Sequence, residues 1–139
     1  PVYYNQELYL NHPVVYVNRD MAQSYCEWRD TRLPTDAEWE QASTGFPWEN
    51  LHDCDYGNYA YGIETNAIDW WVVDKIYYCV GTTTPVGSYE SGKSIFNIYD
   101  LVGNVSEWTG YGRGETKGGS WLSYNFIKTD YPLSTASAK

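Results

Sequence analysis

Residues 99–109 read YDLVGNVSEWT. Two carboxylates, Asp100 and Glu107, bracket a Gly103–Asn104 turn and stand beside Trp108. Oxygen-bearing side chains around a tight turn suit a hard divalent cation, which takes roughly six to eight oxygens and can draw backbone carbonyls from the turn. An ordinary solvated loop carries the same residue types, and the sequence alone leaves both readings open.

The remaining reactive residues are few. The chain has three cysteines, Cys26, Cys54 and Cys79, no CxxC pair, and two histidines, His12 and His52. Structural zinc is a poor fit to that set. Cys54 and Cys79 lie in similar settings, HDCDY and YYCVG. We expect these two to form a disulfide, which points to an oxidising compartment and an extracytoplasmic location. The net charge of −9 offers no basic stripe to a phosphate backbone, so a nucleic-acid partner is not expected. No apolar run reaches the length of about eighteen residues that a transmembrane helix needs. The opening PVYYNQ does not read as a signal peptide.

These residues must be held by a single domain spanning 1–139. Aromatic residues make up 18% of it, with 15 Tyr and 7 Trp, so rings whose polar tips need hydrogen-bond partners must fill the core. HPVVYV reads as an extended run opened by Pro13. Asn18 caps a helix over RDMAQSYCEWRD whose apolar face is Met21, Ala22, Tyr25 and Cys26. Thr35 and Glu38 form a capping box for a second helix, which turns Trp39 and Ala42 inward. Residues 45–85 show no sustained period. TTTPVGSY reads as a short strand with a turn, and SEWT and GGSWLSY as strands of a small sheet.

The blocks RLPTDAEWEQA, FPWEN, TPVGSY, IYDLVGNVSEWT and KGGSW follow one another in one order. That series resembles the formylglycine-generating-enzyme, or sulfatase-modifying-factor, family over about residues 12–125. The resemblance implies an α+β fold, a C-type-lectin-like variant with two helices, a small antiparallel sheet and long irregular loops. It also implies a terminal strand that this sequence does not contain, so the domain is expected to be incomplete at its C-terminal end. A neighbouring subunit could supply that strand, since an unpaired sheet edge accepts one. Cys26 matches a family cysteine that in some members pairs with that segment.

The same resemblance implies a calcium ion in the opening loop, held by the Asp100 and Glu107 side chains and the Gly103 and Val105 carbonyls. A second calcium is implied at Asn58 and the Tyr59 carbonyl, completed by Asp74. The family's oxidases bind copper through two cysteines just beyond GGS. Here no Cys follows Cys79, and soft thiolates are what Cu(I) requires, so copper is not expected. A related three-His iron chemistry fails because the chain has two His.

The sequon NVS at 104–106 lies inside this loop, and Asn104 is expected to carry no glycan. The stretch DWWVVDKIYY reads either as core filler or as a binding platform through Trp70 and Trp71. By the resemblance, Trp121, Tyr124, Asn125 and Asp130 occupy the ligand-facing region. The reading is a catalytically inactive, calcium-stabilised module that binds a protein or glycan or enters a cell-surface assembly. The alternative is a formylglycine-generating oxidoreductase acting on a cysteine of a sulfatase-type substrate.

Overall fold

The structure, a computed structural model, describes residues 7–45, 53–63, 75–110 and 116–123. It contains two α-helices, α1 (Arg19–Trp28) and α2 (Asp36–Ala42), and four short strands, β1 (Ala60–Ile63), β2 (Lys75–Tyr78), β3 (Glu107–Trp108) and β4 (Thr116–Lys117). The strands form two antiparallel ribbons, β1 with β2 and β3 with β4. This is an α+β architecture.

Both helices start where their caps dictate. The Asn18 side chain accepts the Met21 N–H at 2.9 Å. At α2 the Thr35 hydroxyl accepts from Glu38 N–H, and the Glu38 carboxylate accepts back from Thr35 N–H. Two donors left over by the helix start are thereby satisfied reciprocally. The Arg32 guanidinium grips both Glu38 oxygens and, with the cap, holds that carboxyl down at about 2.

Helix α1 packs less apolar surface than its pattern promised. Ala22 and Cys26 are half-buried, but Met21 and Tyr25 are exposed. Polar staples fix the helix instead. Arg19 donates to the Thr109 and Gly110 carbonyls, and the Trp108 indole donates to the Val17 carbonyl. The expected extended run at 13–17 enters no ladder among the described residues. Val14 and Tyr16 are exposed, and Tyr16 takes a left-handed φ of 61°, which breaks an extended chain.

Regular structure does occur within 45–85. Ala60 pairs with Tyr78 and Ile63 with Lys75, and the Tyr61 and Tyr77 rings stack across the ribbon at 5.5 Å. Cys54 and Cys79 are disulfide-bonded, closing a loop across a separation of 25 residues just beyond this ribbon. TTTPVGSY forms a turn but no strand. In the last ribbon, SEWT supplies β3 as expected, but its partner is Thr116–Lys117 and not GGSWLSY, whose described residues turn.

Leu33, Trp39, Tyr59, Ala60, Leu101 and Val102 form the buried apolar core. Asn58, Asn104, Thr109, Thr116 and Lys117 are buried with them. Polar tips of the core rings find partners: Tyr59 donates to the Asp53 carbonyl at 2.7 Å and Trp39 to Glu107. Burial pushes the Tyr59 hydroxyl well above its ordinary range. Among the described residues, no helix is long and apolar enough to cross a membrane.

Candidate metal centre

The 99–109 stretch is held by backbone packed directly on backbone. Gly103 bridges Asn58 in parallel, its N–H reaches the Gly118 carbonyl at 2.8 Å, and the Asn104 N–H reaches the Asn58 carbonyl at 2.6 Å. Only glycine fits at two of these positions. A Cβ on Gly103 (φ 77°) would lie 2.3 Å from the Asn58 oxygen, and one on Gly118 (φ 80°) would lie 2.6 Å from the Leu101 oxygen. Two non-glycine residues of the turn, Asp100 and Asn104, are also left-handed, with φ of 57° and 58°. Such conformations cost free energy and persist where surrounding contacts enforce them.

Those contacts place two carboxylates together. One Asp100 oxygen accepts the Gly87 N–H at 2.6 Å, and the other, Oδ1, is buried with no hydrogen-bond partner. Glu107 Oε2 accepts the indole N–H of Trp39 at 2.6 Å. As a whole residue Glu107 is half-buried, but protein surrounds its carboxyl. That burial, reinforced by the nearby Asp100 charge and opposed by the Trp39 hydrogen bond, pushes its pKa up to about 7. Lys117 stands opposite Glu107 across the ribbon, yet its ammonium goes to Glu40 at 3.0 Å.

Two acids close enough for one charge to act on the other therefore share this region, with an orphaned Asp100 oxygen and with the neighbouring ammonium diverted. Among the described residues no group of three or more His, Cys, Asp or Glu gathers for a metal. Any ion here must take two carboxylates and complete its shell with neutral oxygens, for which Gly103 and Val105 lie in the turn between the acids. A hard, oxygen-seeking cation fits that donor set, and a soft metal does not.

Asn58 and Tyr59, expected at a second site, are both fully buried. The Asn58 amide donates to the Thr82 carbonyl at 2.7 Å, and its Oδ1 is a second orphaned acceptor. The Tyr59 carbonyl already accepts the Cys79 N–H at 3.0 Å, which leaves it one lone pair. Asp74 lies outside the described residues. Its neighbour Lys75 pairs with Ile63, at the end of the ribbon away from Tyr59.

Sequence reasoning missed what ties these residues together. The Asn104 side chain accepts the Thr84 N–H at 2.9 Å and donates to the Thr84 carbonyl at 3.1 Å. With Asn58 on Thr82 and Asp100 on Gly87, three side chains grip the 82–87 loop. The only local signal was the Asn104 sequon. That amide is 1% exposed and committed to Thr84, so the folded chain presents no acceptor there. Of the expected ligand-facing residues, Trp121 is half-buried with its ring 6.3 Å from that of Tyr78. Trp70, Trp71, Tyr124, Asn125 and Asp130 lie outside the described residues.

Comparison with known proteins identifies the family. Residues 4–135 match the family described as sulfatase-modifying factor enzyme 1-like domain. The chain is 36% identical over 106 residues to the inactive Cα-formylglycine-generating enzyme 2 of Bos taurus, covering 72% of this chain and 33% of that protein. It is 36% identical over 130 residues to the serine/threonine-protein kinase Pkn1 of Chlamydia trachomatis, covering 90% and 17%. It is 31% identical over 134 residues to the formylglycine-generating enzyme of Thermomonospora curvata, covering 88% and 38%. The chain spans less than two fifths of each of these relatives. Two helices, short antiparallel ribbons and long side-chain-tied loops make up its C-type-lectin-like form of the α+β class. With its ordered motifs and this match in agreement, the chain belongs to the sulfatase-modifying factor enzyme 1-like domain family.

Proposed function

We propose that this chain is a catalytically inactive, calcium-stabilised binding module that acts outside the cytoplasm, on a protein or glycan ligand or within a surface assembly. The observation that carries the metal part is the buried, unpartnered Asp100 Oδ1 beside the buried Glu107 carboxyl. Calcium supplies the positive charge that lets both acids ionise in place. Asp100 and Glu107 would hold it, with the Gly103 and Val105 carbonyls.

The inactive part rests on chemistry. The family's copper-dependent oxidation needs thiols beyond GGS, and no Cys follows Cys79. By the resemblance those two thiol positions fall at Lys128 and Leu133, which lie outside the described residues and are not cysteines. Lysine and leucine side chains do not replace thiolates for Cu(I). Similarity to a relative named as inactive supports the same reading. The Cys54–Cys79 disulfide favours an extracytoplasmic site, and the Tyr78–Trp121 ring pair, with Tyr78 exposed, offers stacking surface to a ligand. The alternative oxidoreductase draws on the resemblance to the Thermomonospora enzyme.

Thermal melts with calcium and with a chelator test the metal. We expect an upward shift with calcium, because a ligand that binds only the folded state stabilises it. Asp100→Ala should abolish that shift, and a calcium-independent melt of the unaltered chain would sink the reading. Incubation with copper and a cysteine-containing sulfatase peptide should yield no aldehyde. Aldehyde formation would instead establish the enzyme.

A further inference from the structure

We infer that the Thr84 hydroxyl is an additional oxygen of the metal centre, delivered by the 82–87 loop; this rests on the calcium reading above. Four buried side-chain atoms lack a hydrogen-bond partner among the described residues: Asp36 Oδ1, Asn58 Oδ1, Thr84 Oγ1 and Asp100 Oδ1. Three of the four belong to residues that meet on this one loop. Asn58 donates to Thr82, Asp100 accepts from Gly87, and Thr84 is itself the loop's midpoint. A buried oxygen without a partner is costly to leave so. Two of these three are acceptors only, an amide oxygen and a carboxylate oxygen, and the Thr84 hydroxyl, the one possible donor among them, bonds to neither. A cation satisfies such a set.

Thr84 is fixed as a ligand needs to be. Asn104 holds both its N–H and its carbonyl, and Asn104 sits between Gly103 and Val105, the two residues whose carbonyls the calcium reading assigns to the ion. Pro85 follows and restricts the backbone of Thr84 to the extended region. The hydroxyl thus hangs from a clamped backbone beside the Asp100 turn. Asn58, fully buried with its Oδ1 unpartnered, is independent evidence that something polar completes this region.

The test is calorimetric titration of the full chain with calcium, alongside melts in chelator. Thr84→Val keeps the shape and removes the oxygen. It should weaken calcium binding by roughly tenfold or more. In chelator the same variant should melt no lower than the parent, because an unsatisfied buried hydroxyl has been removed. Thr84→Ser should keep parental affinity. Calcium affinity of Thr84→Val within about twofold of the parent would overturn the inference, as would an equal drop in melting temperature with and without calcium. If the parent itself binds no calcium, the metal reading falls and this inference falls with it; parental binding that survives Thr84→Val overturns the inference alone.

Discussion

The indole N–H of Trp39 meets one oxygen of Glu107 at 2.6 Å. This single contact joins α2 to β3 and fixes how the buried carboxylate points. Groups that orient a ligand in this way are worth about 10–100-fold in metal affinity. Trp39→Phe keeps most of the ring and removes the donor. It should weaken calcium binding within that range and destabilise the chelated protein by about 1–3 kcal/mol. Titration calorimetry and urea unfolding measure the two effects separately. Unchanged affinity in a folded variant would reduce the contact to core packing.

The Glu107 carboxyl predicts an inverted pH response. Its folded pKa of about 7 lies above the ordinary 4.5, so the folded chain holds this proton more tightly than the unfolded chain does. The associated stability is fully present below about pH 4.5 and is lost as pH rises through about 7. Its size is roughly 3 kcal/mol. In chelator the melting temperature should therefore fall across that window, and Glu107→Gln should flatten the slope. Calcium, which needs the ionised carboxylate, should oppose the fall. Glu38, held at about 2, titrates below this window and does not blur it. An identical slope in the Gln variant would assign the effect elsewhere.

Asn104 should be structural and unmodified. Asn104→Ala strands the Thr84 N–H and carbonyl, and should cost about 2–4 kcal/mol in denaturant unfolding. Intact-mass measurement after expression in a glycosylating host should show no glycan at this position. An occupied Asn104 in folded protein would contradict its burial.

Two glycines offer a controlled comparison. Gly103 and Gly87 have nearly equal φ, 77° and 74°, but an added Cβ meets Asn58 oxygen at 2.3 Å in one case and nothing within 4 Å in the other. Gly87→Ala should cost only the left-handed penalty of about 1–2 kcal/mol. Gly103→Ala adds a backbone clash and should unfold the chain or cost several times more. Equal costs would mean that the Asn58–Gly103 approach is not as close as described.

Local chemistry was legible in the sequence. Asn18, Thr35 and Glu38 announce their helix starts because a cap is settled within four residues. The Cys54–Cys79 pair followed from similar settings, and the acid turn from its residue types. The β1–β2 ribbon was missed because AYGI and KIYY are short and lack alternation, and are stabilised by a ring stack between distant residues. TTTPVGSY resembled a strand by composition, but three side chains from elsewhere grip it as a loop. Met21 and Tyr25 fit a helical stripe, yet both stay exposed among the described residues. Periodicity tells which residues could face a core; whether one arrives depends on the rest of the chain.

The meeting of Asn58, Gly103 and Gly118 bears on how fast the protein can form. Their backbones contact one another directly, although long loops separate them in sequence. None of that knot exists until those loops have closed, so the search is dominated by distant pairings, which places folding in roughly the millisecond-to-second range. During that interval a chain rich in Tyr and Trp leaves its rings uncovered, and its hazard is association with its neighbours. Early closure of Cys54 to Cys79 would shorten that exposure, so refolding yield should depend on oxidation more steeply than final stability does.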